Sequence, residues 1–205
     1  MTELMNFEER ARAVLPPHIS AYYAAAAGSG VGLDEGTVDW SAVRFRPRIL
    51  REVGSISVST TVLGSWPREL SGLPVLVKGV LRADDARRCV DAGAAGAVVS
   101  THGGRRLGPT ISAARALPEI VAAIGDQAEI YADSGIRSGE HVAAAIAMGA
   151  RAIFIGRPAL WAPWPAAGQE NAQQVIKSLT DELAQVMVQL GATSIDGLTP
   201  DLLSV

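Results

Sequence analysis

Four short apolar runs set the rhythm of the chain between residues 75 and 161: Val75-Leu76-Val77, Ala97-Val98-Val99, Glu129-Ile130-Tyr131-Ala132 and Ala152-Ile153-Phe154-Ile155. Their starts lie 22, 32 and 23 residues apart, and helical stretches with start and stop signals fill the intervals. Asp84 and Asp85 open the first helix and Gly93 closes it; Pro118 suits the first turn of EIVAAIG; Ser138 can cap EHVAAAIAM ahead of Gly149. Strands that are apolar on both faces and alternate with helices imply βα units around a parallel sheet, an α/β fold. A final helix from Gln169 to Leu190 has its apolar face marked by Val175, Ile176, Leu179, Leu183 and Val186.

The first 64 residues have a different texture. Helical patterns cover Phe7–Val14 and Ile19–Ala27, separated by Pro16-Pro17, and glycines follow at 28, 30 and 32. RFRPRILREV (44–53) is rich in arginine, SISVSTTVLG (55–64) alternates like a strand or hairpin arm, and SWPRELSGLP (65–74) reads as a connector. Asp34, Glu35 and Asp39 read as a solvated loop. GSGVG at 28–32 follows no strand and lacks the spacing of a dinucleotide fingerprint, so it is set aside.

Composition narrows the function. The chain has 205 residues, 48% of them hydrophobic, and a formal net charge of −3. A near-neutral balance argues against nucleic acid as the partner, because phosphate backbones need a concentrated basic surface. The single cysteine, Cys89, excludes an internal disulfide framework and a Cys-rich metal site. No apolar stretch is long enough to span a bilayer, and the acidic and arginine-bearing start does not resemble a signal peptide; a cytoplasmic protein without a membrane partner is expected.

Polar residues cluster at one end of the strands only. Lys78-Gly79, Ser100-Thr101-His102-Gly103-Gly104-Arg105, Asp133-Ser134-Gly135-Ile136-Arg137 and Gly156-Arg157 all follow apolar runs. Parallel α/β folds bind ligands at the carboxyl ends of strands, so these clusters predict a site. The glycine–arginine ends of the last two strands suit a phosphate. His102 can move a proton while Arg105, three residues on, holds a small carboxylate. Lys78 either stabilises negative charge on a cofactor or serves as a structural ion-pair partner. His18 and His141 read as surface or packing residues, and no metal-ligand spacing is present.

VLVKG, VSTHGGRRL, ALPEIVAAIG, DSGIRSG and GARAIFIGRP, in that order, resemble the FMN-dependent α-hydroxy acid oxidases and dehydrogenases. LPPHISAYYAAAAGSG, RFRPRILREV and STTVLG resemble the N-terminal region of the same family. The resemblance implies oxidation of a small 2-hydroxy acid to the 2-oxo acid with FMN as cofactor. It assigns His102 as the base, Arg105 and Tyr22 to the substrate, and Lys78 and Ser100 to the flavin. Asp133, Ser134, Gly135, Ile136 and Arg137, with Gly156 and Arg157, would hold the ribityl chain and phosphate, and Asp133 would also orient His102. The chain departs from the family pattern at Thr101, Arg106 and Gly108, and at Ser134, where a glycine is usual.

A complete (β/α)₈ barrel takes about 250 residues. Here STTVLG runs almost directly into LSGLPVLVKG, where the family would place its first four βα units. The expected architecture is therefore a partial TIM barrel retaining the last four units (65–205) behind an N-terminal helical cap (1–64). Such a half barrel leaves two open strand edges, which points to a homo-oligomer, for example a two-fold dimer pairing strand 75–79 with strand 152–156 of a second copy. The alternative is a catalytically inactive remnant or assembly module with residual phosphate or FMN binding. Another kind of phosphate-binding barrel is disfavoured by the His102–Arg105 pair, and Cys89 falls in a helix, away from the strand ends.

Overall fold

A computed structural model describes residues 3–45, 55–58, 73–162 and 168–204. Helices α1 (Glu3–Val14), α2 (Pro17–Ala24) and α3 (Val31–Ala42) come first, followed by the short strand β1 (Arg44–Phe45). Then βα units follow in regular succession: β2 (Leu76–Val80), α4 (Ala83–Asp91), β3 (Gly96–Val99), α5 (Ala113–Ile124), β4 (Glu129–Ala132), α6 (Gly139–Ala147), β5 (Ala152–Ile153) and α7 (Arg157–Trp161). The long helix α8 (Gly168–Leu190) and strand β6 (Leu203–Ser204) complete the chain. The four central strands pair in parallel in the order β2-β3-β4-β5, and β6 pairs antiparallel with β1. The expected α/β class and parallel sheet are observed.

The core lies between the sheet and its helices. Leu117, Ile120 and Ile124 of α5 are fully buried, as are Val99 and Ala132 of the strands. α6 packs on α8 through its first residue: a Cβ at Gly139 would lie 2.3 Å from the Leu183 nitrogen, so the helices touch backbone to backbone. The Gly139 N–H donates to Glu182 of α8 at 2.8 Å, and Ser138 accepts from the His141 N–H at 3.4 Å, which together satisfy the first turn of α6. On α8, Val175, Leu179, Leu183 and Met187 are buried, whereas Ile176, expected on the apolar face, is 60% exposed.

Several elements differ from the sequence pattern. Pro118 does not open a helix: α5 begins at Ala113 behind the Ser112 cap, which accepts from the Arg115 N–H, so Pro118 sits inside the helix. Its ring removes one hydrogen bond to the carbonyl four residues earlier. Residues 34–39 are not a loop but belong to α3, and Asp39 is buried and paired with Arg115 at 2.7 Å. Asp34 and Glu35, on the outer face of that helix, are exposed as expected. Of the expected hairpin arm 55–64, residues 59–64 lie outside the described residues, as do 46–53 of the arginine-rich stretch; Ser57 makes a single bridge to Ser194.

His141 shows how the cap is tied to the sheet. Its Nδ1 accepts the Arg137 amide at 3.2 Å, and its Nε2 lies 3.0 Å from Ser41 Oγ, which itself donates to the Thr37 carbonyl. That pattern fixes the neutral Nε2–H tautomer. Burial pushes the imidazole pKa down to about 4, against an opposing contact with the Gly135 backbone. The folded pKa lies below the unfolded one, so this stabilisation is complete above about pH 6.5 and is lost as pH falls toward 4, on the order of 3 kcal/mol in all. Chemical denaturation at pH 7 and pH 4.5 is expected to show that loss in the native chain and a flatter profile in His141→Gln. Equal slopes in the two proteins would show that the buried imidazole does not carry it.

Candidate active site at the carboxyl ends of the strands

The site is built from the four strand ends. Lys78 Nζ, from the middle of β2, lies 2.6 Å from Ser100 Oγ and 2.7 Å from Asp133 Oδ2, linking β2 to the ends of β3 and β4. Beyond β3 the chain makes a short 3₁₀ turn, His102–Gly104, capped by Thr101, and His102 adopts φ 55°. Ser100 is buried beneath this turn and its Oγ accepts the His102 N–H at 3.0 Å. Gly79 faces the ring: a Cβ there would lie 2.5 Å from His102 Cε1, so only glycine leaves space for the imidazole.

After β4, Ser134 also adopts a left-handed conformation, φ 65°. Its Oγ donates to Asp133 at 2.5 Å and accepts the N–H groups of Thr101 and Gly103 at 3.1 and 3.0 Å. α3 packs against this turn, its Trp40 indole donating to the Ser134 carbonyl at 3.0 Å.

These strand ends enclose a cleft of 420 Å³ lined by Lys78, His102, Arg105, Arg106, Asp133, Ser134, Gly135, Ile136, Arg137, Gly156 and Arg157, with Phe154, Ile155 and Leu160 as an apolar wall. Two sequence-predicted residues do not line it. Ser100 lies behind it, and Tyr22 is 66% exposed with its ring beneath the Arg105 guanidinium, 5.2 Å away. Among the described residues Asp133 makes no hydrogen bond to His102, against expectation; its Oδ2 meets Lys78 and its Oδ1 accepts from Ser134. Lys78 adopts the ion-pair arrangement that the sequence left open.

Electrostatics favour anions and a neutral histidine. Among the described residues, five cationic side chains, Lys78, Arg105, Arg106, Arg137 and Arg157, share the cleft lining with one carboxylate, Asp133. Partial burial holds the His102 imidazole below its ordinary pKa, reinforced by the charges of Lys78 and Arg106, while Asp133 pulls the other way. The ring is therefore neutral at pH 7 and can accept a proton.

Two arginines also grip the N-terminal segment. Arg157 donates to the carbonyls of Tyr23, Gly103 and Ala25 at 3.1, 3.0 and 2.8 Å, and one Arg105 nitrogen donates to those of Tyr22 and Tyr23 at 2.9 and 3.1 Å. A guanidinium carries five N–H donors. Both arginines thus keep donors for an anion while holding the cap. Residues that sequence reasoning missed are Trp40, hidden because α3 was read as a loop, and the apolar wall residues Phe154 and Leu160, which look like ordinary strand and helix positions.

The family model for FMN-dependent dehydrogenases matches this chain in two segments, residues 11–67 and 65–205. The chain belongs to that family. The break between the segments falls where the sequence runs from STTVLG toward VLVKG. A pre-mycofactocin synthase of Mycobacterium tuberculosis (strain CDC 1551 / Oshkosh) is 46% identical over 135 residues, 66% of this chain and 34% of that protein. A 4-hydroxymandelate oxidase of Amycolatopsis orientalis is 46% identical over 157 residues, 77% of this chain and 41% of that protein. The chain thus spans between about a third and two-fifths of the length of these curated relatives. In fold, it is similar to a flavocytochrome b2 mutant with pyruvate bound (TM-score 0.92, 21% identity, covering 100% of this chain and 86% of that one). It is also similar to mandelate oxidase with benzoyl-formic acid (TM-score 0.87, 24% identity, covering 100% and 98%).

Members of this family are FMN-dependent, and the cleft suits such a group chemically: cations at Arg137 and Arg157 suit a phosphate, open space surrounds Gly156, and Lys78 comes from β2, the edge strand opposite β5. The contact between Gly79 and His102 gives a direct test. Gly79→Ala combines a Cβ clash with a φ of 101° and is expected to destabilise the protein by about 1–3 kcal/mol in urea unfolding. It should also displace the His102 ring signals in NMR spectra. Unchanged stability and an unmoved His102 signal would mean that the ring does not pack there.

Proposed function

We propose that this chain is a partial (β/α)₈ barrel, residues 65–205 behind a cap of residues 1–64, that binds FMN and oxidises a small 2-hydroxy acid to the corresponding 2-oxo acid. The observation that carries this reading is the His102 imidazole, without a side-chain hydrogen bond among the described residues, placed in one cleft with five cationic side chains at the carboxyl side of a parallel sheet. Homology to an FMN-dependent family supports it further.

In this reading Arg137, Gly156 and Arg157 hold the phosphate, and Lys78 steadies negative charge near the flavin ring. FMN, when bound, supplies the acceptor for the two electrons that leave the substrate. Arg105 uses the donors left over from its contacts with Tyr22 and Tyr23 to hold the substrate carboxylate through paired N–H bonds. His102 accepts a proton from the hydroxy acid, and the imidazolium is steadied by Asp133 across the cleft. Phe154 and Leu160, each more than 40% exposed, shield the reacting region from water on one side.

A second reading has a specific observation in its favour. The curated relatives are nearly twice as long over their full length, and the free edges of β2 and β5 carry no further strand among the described residues. This favours either a cytoplasmic homo-oligomer that rebuilds the missing wall or a remnant that binds anions without turnover.

The test is a visible spectrum of the purified chain after adding FMN and desalting, followed by lactate, glycolate or mandelate under anaerobic conditions. The expected result is a retained flavin band that one of the acids bleaches. His102→Ala should retain the band and bleach at least about 100-fold more slowly. A colourless protein, or a flavin that none of the acids reduces, would overturn the enzyme reading in favour of the remnant.

A further inference from the structure

We propose that Ser134 is a positioning residue: its hydroxyl anchors the loop that presents His102 and turns Asp133 toward Lys78 and away from the imidazole. This rests on the reading of His102 as the proton acceptor, but its geometry stands independently. Ser134 occupies a left-handed conformation, φ 65°, that a serine adopts only at a cost. Such strain persists only where surrounding contacts enforce it.

Those contacts are visible. A hydroxyl offers one donor and two acceptor lone pairs, and Ser134 uses all three: it donates to Asp133 Oδ1 at 2.5 Å and accepts from the Thr101 and Gly103 amides at 3.1 and 3.0 Å. The two amides flank His102, so one side chain on the β4 end fixes the turn on the β3 end. Asp133 is held at both oxygens, Oδ2 by Lys78 at 2.7 Å and Oδ1 by Ser134. A glycine at 134 would free Oδ1 and leave both loop amides without this acceptor.

The consequence falls on the imidazole. The charged groups bearing on His102 are Lys78 from β2, Arg106 from its own loop and Asp133 from β4. α3, packed on the same turn, exposes Asp34 and Glu35 to solvent, and Arg157 meets the loop through the Gly103 carbonyl. Of these groups Asp133 alone raises the affinity of the ring for a proton, and Ser134 engages its Oδ1. The tether therefore favours the neutral ring.

The test uses the full chain and needs neither flavin nor turnover. In Ser134→Gly, which also relieves the backbone strain, the His102 NMR titration midpoint should rise by about half a unit or more. Amide exchange at Thr101 and Gly103 should accelerate about tenfold. Ser134→Ala, which keeps the strained conformation but lacks the hydroxyl, should accelerate the same amides. In an Asp133→Asn background the rise in midpoint should vanish. Unchanged exchange at both amides in either variant would overturn the anchoring role. A midpoint that rises equally with Asn at 133, or does not rise at all, would overturn the turning of Asp133. A chain that never binds flavin would defeat the proposed function and leave each of these readouts intact.

Discussion

The site depends on one close approach, that of α3 onto the loops at the strand ends. A Cβ at Gly135 would lie 2.0 Å from the Gly36 carbonyl oxygen, and one at Gly32 would lie 2.2 Å from that of Gly108. Helix and loop backbones meet there with no side chain between them. The Trp40 indole then reaches the Ser134 carbonyl, and the Arg115 guanidinium, from α5, reaches Asp39. Because α3 sits this close, the Ser134 turn cannot drift outward, and through the Ser134 hydroxyl neither can the turn that carries His102. The arginine contacts add to this clamp. Hydrogen bonds to charged groups contribute about 1.5–3 kcal/mol each where they are shielded, and less for the exposed Arg105.

The same contact explains what the sequence hid. VGLDEGTVDWSA carries two glycines and no clean apolar stripe, so by periodicity it reads as a loop, and its acids read as solvated. The glycines that weaken the helix signal are the residues that let α3 touch the loops. Pro118 misled in a related way: ISAARA ahead of it is rich in alanine and shows no periodicity, so proline looked like the opening of α5 when Ser112 is the cap. The βα succession, by contrast, was legible because its strands are continuous apolar runs and its functional residues fall only at their carboxyl ends. Lys78, His102, Asp133 and Arg157 meet across four strands because a parallel sheet brings all those ends to one side.

Partnerships were less legible than places. Sequence order put Asp133 and His102 in one mouth, but which group Asp133 faces depends on the rotamers of Lys78 and Ser134, and no spacing encodes those. The Lys78–Asp133 pair at 2.7 Å joins two groups of unequal exposure, with the lysine side chain 45% exposed and the carboxylate 14%. A half-exposed lysine adds little as a stability bridge. Its stronger consequence is local: it keeps a positive charge on β2 facing the cleft, and after burial that charge, with Arg106, holds the imidazole pKa below its ordinary value.

The five cations raise a last question of balance, because like charges in one cleft repel unless something answers them. Asp133 answers Lys78, and the backbone answers three of the arginines, Arg137 through its bond to the Ile136 carbonyl at 2.8 Å. The carbonyls of Tyr22, Tyr23, Ala25 and Gly103 point their negative ends at Arg105 and Arg157, taking the part that anionic oxygens take in ligand-bound sites. For Arg157, burial and the neighbouring charges of Arg105 and Arg137 press the pKa down, yet a guanidinium stays charged under such pressure. Attraction for an anion therefore remains in the cleft while the cap is held. The N-terminal segment and any phosphate or carboxylate draw on the same two guanidiniums through different N–H groups. The position of the N-terminal segment and anion affinity are thus coupled through Arg105 and Arg157.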